Sequence, residues 1–152
     1  MTTLRVTLDE FVGSPYGGAS RYAGELVRAL LATAPEGTEI VGMVPASPEP
    51  DYARVAELLP GLARLEKSAL VRRDLAAAWR RGIGRPLRTG MLHATSLLAP
   101  LGAHDRVTHP GDQVAVTIHD ALAWTSPELL PSRAAAWRRA MGSRAERYAD
   151  AV

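Results

Sequence analysis

Polar and apolar residues alternate at the start of the chain. In "TLRVTLDE", Leu4, Val6 and Leu8 fall on one side with polar residues between them, which predicts a first strand. "EFVGSPYGGAS" interrupts this pattern with Gly and Pro. The period then lengthens. Ala23, Leu26, Val27, Leu30 and Ala34 form a stripe at helical spacing, predicting a helix from Ser20 to Thr33 that leaves Arg21, Glu25 and Arg28 outward. "TEIVGMV" reads as a second strand. The Pro-rich "PASPEPD" follows, with Asp51 placed to cap a short helix through Leu59. "PGLARLE" holds a turn and a short third strand. Ser68 is positioned to cap "ALVRRDLAAAWRR", in which Val71, Leu75 and Ala78 or Trp79 share a face. "GIGRPLRTG" breaks the pattern, and "MLHAT" reads as a short buried strand. "SLLAPLG" is a loop and "AHDRVTHPGD" a polar surface turn. "QVAVTIHD" is a strong β-branched strand ending in His119-Asp120, and "ALAWTSPELLP" is an irregular connection. Ser132 is placed to cap a last helix, with Trp137, Met141 and Tyr148 on one face.

Strands alternate with helices from end to end. This order predicts an α/β domain over residues 1–152, Rossmann-like, with a doubly wound parallel sheet. "ADAV" stops as apolar character resumes after a helix, so the chain is expected to be the N-terminal part of a longer polypeptide. The single Phe leaves the core to Leu, Val and Ala. The absence of Cys excludes disulfides and thiolate metal sites. A net charge of +2 falls short of a nucleic-acid-binding composition, and the basic helices lack interleaved aromatics. "MTTLRVTLDEF" has no signal-peptide pattern, and no apolar stretch approaches the ~20 residues of a membrane span. A cytoplasmic protein is therefore expected.

In a doubly wound sheet, ligands bind beyond the carboxyl ends of the strands. Three loops qualify: 12–20, 93–100 and 119–131. Gly17 and Gly18 precede a helix, so their bare backbone is open either to a turn or to a closely approaching phosphate. G-x-x-x-x-G-K-[ST] and G-x-G-x-x-G are both absent, and the second strand ends in Val44-Pro45 without an acid for a ribose, which disfavours NAD. His119 ends the strongest strand, where it can donate to a ligand; Asp120 can set its tautomer or act as a base. His93, Thr95 and Ser96 add polar groups at the same sheet edge. No metal is expected, since a site from His93, His119 and Asp120 needs three converging ligands. Arginines flank the apolar faces of the helices at 69–81 and 132–148, a pattern that suits either a solvated face or an anionic membrane surface.

Taken together, the blocks resemble the N-terminal half of retaining glycosyltransferases of family 4, which have the GT-B fold. The matching segments are "GGASRY" opening a long helix, "MLHATSLLAP", "VAVTIHDALAWTSPELLP" and "RYADAV", in that order from Leu4 to Val152. The acid that usually precedes the "LHA" strand is replaced by Arg88-Thr89-Gly90, and "AHDRVTHPGD" looks like an altered loop. The resemblance implies transfer of a sugar from a nucleotide-sugar donor to an acceptor hydroxyl with retention, and a partner C-terminal nucleotide-binding domain beyond this chain. It implies that Gly17 and Gly18 meet the donor phosphates and that His119, with Asp120, serves catalysis. Arg21, Tyr22, His93, Thr95 and Ser96 are implied to line the side for a sugar or lipid acceptor. No cofactor and no nucleic acid are implied, the isolated lobe is expected to be inactive, and contact with the inner membrane face is an added expectation. The alternative is a stand-alone, non-catalytic phosphate- or sugar-binding module.

Overall fold

The computed structural model describes residues 2–13, 16–84, 90–105 and 107–152. Five strands form one all-parallel sheet: β1 (Thr2–Thr7), β2 (Thr38–Val44), β3 (Arg64–Lys67), β4 (Met91–Ala94) and β5 (Val114–Val116). Their order is β3-β2-β1-β4-β5, a doubly wound, Rossmann-like arrangement. The helices are α1 (Gly18–Thr33), α2 (Glu49–Leu58), α3 (Arg72–Arg80), α4 (Leu122–Thr125) and α5 (Ser132–Tyr148).

Strand alternation divides the core in two. Val6, Ile40 and Val44 pack with Ala23 and Val27 of α1 and Tyr52 and Val55 of α2. Leu92, Ala94, Val114 and Val116 turn the other way, onto Met141 and Ala145 of α5, with Trp79 of α3 and Trp137 against them. Helices therefore cover both faces, as the alternating order of elements predicts. The faces shared by Leu4, Val6 and Leu8 and by Trp137, Met141 and Tyr148 are those expected.

Several element ends differ from the sequence reading. β1 stops at Thr7, and Asp9–Phe11 turn as a short 3-10 helix. α1 begins two residues early, at Gly18. The predicted caps are corrected at three helices. Pro48, Val71 and Pro131 occupy the N-cap positions, none with a side-chain cap bond. Asp51 instead bonds the Ser47 hydroxyl, and Ser68 Oγ accepts from the Leu70 N–H at 3.0 Å. The "irregular" connection after β5 holds α4 and a short 3-10 helix, Pro127–Leu129. Val71 is exposed, so Leu75 alone is fully buried on the α3 stripe. Beyond α5, the Asp150 N–H donates to Val114 O at 2.8 Å and Ala151 makes a parallel bridge to Ala115. Residues 85–89, within the predicted break, and Arg106, in the polar turn, lie outside the described residues.

Candidate functional site

The strand order reverses between β1 and β4, so the chain leaves the sheet in opposite directions after these neighbours and opens a crevice there. A cleft of about 410 Å³ occupies this position, within the usual size range of ligand sites. Gly18 and Ala19 form one wall, Ser96 and Leu98 another, and His119 and Asp120 a third. Glu10, Arg72, Trp137 and Arg138 complete it. Loops distant in sequence thus meet at the rim where the three candidate loops were expected.

Of the paired glycines, Gly18 lines the cleft and Gly17 does not. Gly17 is the N-cap of α1 with φ −142°, an extended conformation open to any residue, and Gly18 is already helical. A Cβ on Gly18 meets no heavy atom within 4 Å. Neither the turn nor packing requires a glycine at 18, so its missing side chain leaves open space in the cleft. The helix start is anchored from below. Ser20 Oγ donates to the Glu10 carbonyl at 2.9 Å, and the Arg21 N–H donates to Gly17 O at 2.9 Å. The N–H groups of the first turn have no carbonyl within the helix to pair with, which favours an anion there.

His119 is held by a backbone acceptor. Its Nε2 lies 2.7 Å from the Thr95 carbonyl oxygen. A carbonyl only accepts, so Nε2 carries a proton, and the tautomer compatible with this bond has Nδ1 as its acceptor. The Tyr22 ring meets the imidazole edge to face, 5.1 Å between centroids. Asp120 does not set this tautomer. Its carboxylate accepts from the Leu122 N–H at 3.0 Å and from Arg138 Nη1 at 2.9 and 3.0 Å. The Leu122 bond, then Arg138, holds its carboxyl below the ordinary value.

The remaining expected residues separate. Ser96 lines the cleft and donates to Asp9 Oδ1 at 3.3 Å. Thr95 is fully buried: its hydroxyl donates to Thr7 O at 2.6 Å and its N–H to Thr7 Oγ1 at 2.9 Å, tying β4 to β1. It acts on the cleft through its carbonyl, which positions His119. His93 is half-buried, with Nε2 3.0 Å from Thr117 Oγ1, and burial lowers its pKa. Tyr22 Oη lies 3.0 Å from the same hydroxyl, so Tyr22, Thr117 and His93 form one chain of hydrogen bonds beside the cleft. Arg21 is exposed on α1 and is not part of the cleft wall.

The sequence reading passes over two carboxyls. Asp9 is 2 % exposed; burial raises its pKa against the opposing Arg72, whose guanidinium lies 3.0 Å away. Glu10 is pushed up to about 8 by burial and then by the Asp9 charge. Its Oε2 lies 3.2 Å from Thr95 Oγ1, while Oε1 is buried without a partner among the described residues. The signal available was their position at the carboxyl end of a parallel strand, obscured because "TLRVTLDE" reads as one alternating run. Arg72 carries no such signal, because its role depends on α3 being brought to Asp9 in the turn after β1.

Comparison of the chain with protein-family models, with curated proteins and with solved structures finds no match in any of the three. Function is therefore argued from the site. Among the described residues, no three His, Cys, Asp or Glu side chains gather so as to hold a metal ion, and no helix is long and apolar enough to cross a membrane. A second cavity, of about 390 Å³ and mainly apolar, lies beyond Asp9 between α3 and the ends of β2 and β3, with Met43, Leu75 and Trp79 in its wall.

Proposed function

We propose that this chain is the acceptor-side lobe of a retaining, nucleotide-sugar-dependent glycosyltransferase, working against a second, nucleotide-binding lobe. The observation that carries the reading is Gly18: a helical residue at which a Cβ would meet no heavy atom within 4 Å, left bare in the same cleft as His119. The segments that resemble family 4 enzymes supply three walls of that cleft, which supports a common task for them.

In this reading the donor diphosphate approaches Gly17, Gly18 and the open N–H groups of α1. Negative charge grows on the leaving diphosphate as the glycosidic bond to it breaks, and preoriented amides offset that charge without reorganising. His119 faces the donor sugar with its ring fixed by the Thr95 carbonyl, so its contacts require no rotamer search. The acceptor hydroxyl enters from the side of Ser96 and Glu10. Glu10, protonated near neutrality, adds no negative charge beside the phosphates.

The test is a transfer assay on this chain expressed together with the second lobe that the reading requires. Product anomeric configuration is read by NMR across a panel of nucleotide sugars. Transfer with retention is expected, and the isolated chain should not turn over. His119→Ala should lower turnover by about 100-fold or more. Its melting temperature should stay near that of the parent. Gly18→Ala should keep or raise the melting temperature, because Ala is the better helix former, and should still lose donor turnover. Absence of transfer from every donor, or a fully active Gly18→Ala variant, overturns the proposal.

A further inference from the structure

A second recess opens off the cleft. It lies between α3 and α5, encloses about 450 Å³, and shares Arg72, Leu98 and Trp137 with the cleft wall. Trp137 Nε1 donates to Ala76 O at 3.2 Å, joining the two helices at this recess. Five arginines line it, Arg72, Arg73, Arg80, Arg81 and Arg133, and no Asp or Glu does.

Internal pairing accounts for only part of this charge. Arg72 is bound to Asp9, and Arg73 to the adjacent Asp74 at an exposed position. Arg81 Nη1 reaches the Ala77 carbonyl at 3.5 Å. The side chains of Arg80 and Arg133 make no ion pair or hydrogen bond among the described residues. Helix electrostatics accounts for Arg80 and Arg81, which sit at the C-terminal end of α3 where a cation is favoured. It does not account for Arg133, which stands in the first turn of α5, at the end that favours anions. Two helices far apart in sequence therefore bring unpaired positive charge to one recess floored by Ala76, Ala77, Ala136 and Trp137. Guanidinium groups pair with phosphate through forked hydrogen bonds, and an apolar floor takes the carbon skeleton beside it.

We infer that this recess binds a phosphate group on the acceptor, so that the acceptor is a phosphorylated molecule with its phosphate among Arg80, Arg81 and Arg133 and its hydroxyl in the cleft. The word acceptor rests on the proposed function above; the phosphate site does not. Because the recess and the cleft share a wall, one molecule can occupy both. Two sources offer the same chemistry, a free phosphorylated sugar and a phosphate at the surface of a membrane.

The experiment uses this chain, inorganic pyrophosphate, and vesicles of phosphatidylcholine with or without phosphatidylglycerol. Binding is read by titration calorimetry, by vesicle sedimentation, and by the arginine Nε–Hε resonances. Four forms are compared: parent, Arg80→Ala/Arg133→Ala, His119→Ala, and Arg54→Ala/Arg139→Ala. The last removes equal charge from exposed positions outside the recess. Pyrophosphate binding that weakens by about tenfold or more in the Arg80/Arg133 variant, but not in the Arg54/Arg139 variant, supports the inference. If only pyrophosphate binds, the acceptor is free in solution. If phosphatidylglycerol vesicles also bind, with the same dependence on Arg80 and Arg133, its phosphate is held at a membrane. Equal weakening in both arginine variants reduces the effect to net charge and overturns it. So does binding to neither probe. Binding that is lost in His119→Ala and retained without Arg80 and Arg133 places the anion in the cleft, which overturns this inference and leaves the proposed function standing. Recess binding together with a failed transfer assay overturns the proposed function, and with it the acceptor assignment.

Discussion

Glu10 departs far from its free form. Burial and the Asp9 charge move its pKa from an ordinary 4.5 to about 8. Between those values the folded chain binds more protons than the unfolded one, so this group's contribution to stability falls as pH rises. It is complete below the unfolded value and is lost as pH passes the folded value. Glu10→Gln cannot ionise and should lack that loss. Its melting temperature relative to the parent should rise between the unfolded value of 4.5 and the folded value of about 8 and level off above it, read by differential scanning fluorimetry. Parallel curves for the two proteins contradict the assignment. His119 belongs to the same scale but to function: it is exposed, so water can take its place on the Thr95 carbonyl and removing the ring costs little structure. The sequence marks His119 and Gly18 as site residues by reading them at the end of a strand and the start of a helix, although β5 closes at Val116, three residues before His119. It does not mark Asp9, Glu10 or Arg72, because a carboxylate's burial and its partner come from elements distant in the chain.

At the scale of elements, hydrophobic period places the strands and helices well and their ends poorly. α5 shows why. Ser132 is chemically a good cap, yet Pro131 takes the N-cap position and no side chain caps the helix. Ser132→Ala should therefore change stability by less than ~0.5 kcal/mol. A true cap would lose about 1 kcal/mol on the same change, and chemical denaturation distinguishes the two. Gly42 is the opposite case, a residue whose smallness is structural. A Cβ there lies 2.7 Å from Leu65 Cδ2 and 2.8 Å from Leu8 Cδ1, across the β1-β2-β3 interface with the loop after β1. Gly42→Ala should destabilise by roughly 1–3 kcal/mol through overpacking, and a loss near zero would show that the two leucines repack freely. The alternation in "TEIVGMV" identifies the strand. It says nothing of the gap at 42, because both leucines come from other elements.

The whole molecule is one sheet with a core on each face, and this makes a thermodynamic prediction. Trp79 and Trp137 pack in the core on the α5 side, and Trp124 lies against Gly142 of α5. Tryptophan fluorescence therefore reports one face, whereas far-UV circular dichroism reports both. Because both cores are built on one hydrogen-bonded sheet, and β2 faces one with Ile40 and Val44 and the other with Met43, the two signals should give one coincident denaturant transition. Separate midpoints would mean that the faces unfold independently. The order of strand and helix signals, and the apolar faces of each, were determined by the sequence alone: they follow from local chain geometry, which repeats every two residues or every 3.6. Hence the α/β class, the parallel sheet and the three loops at its edge are all legible in the amino acids. Strand order, the crevice between β1 and β4, the buried Asp9–Glu10 pair and the arginine recess were decided only by tertiary structure. Each depends on which elements become neighbours, and that is set by simultaneous burial of many faces rather than by any local pattern.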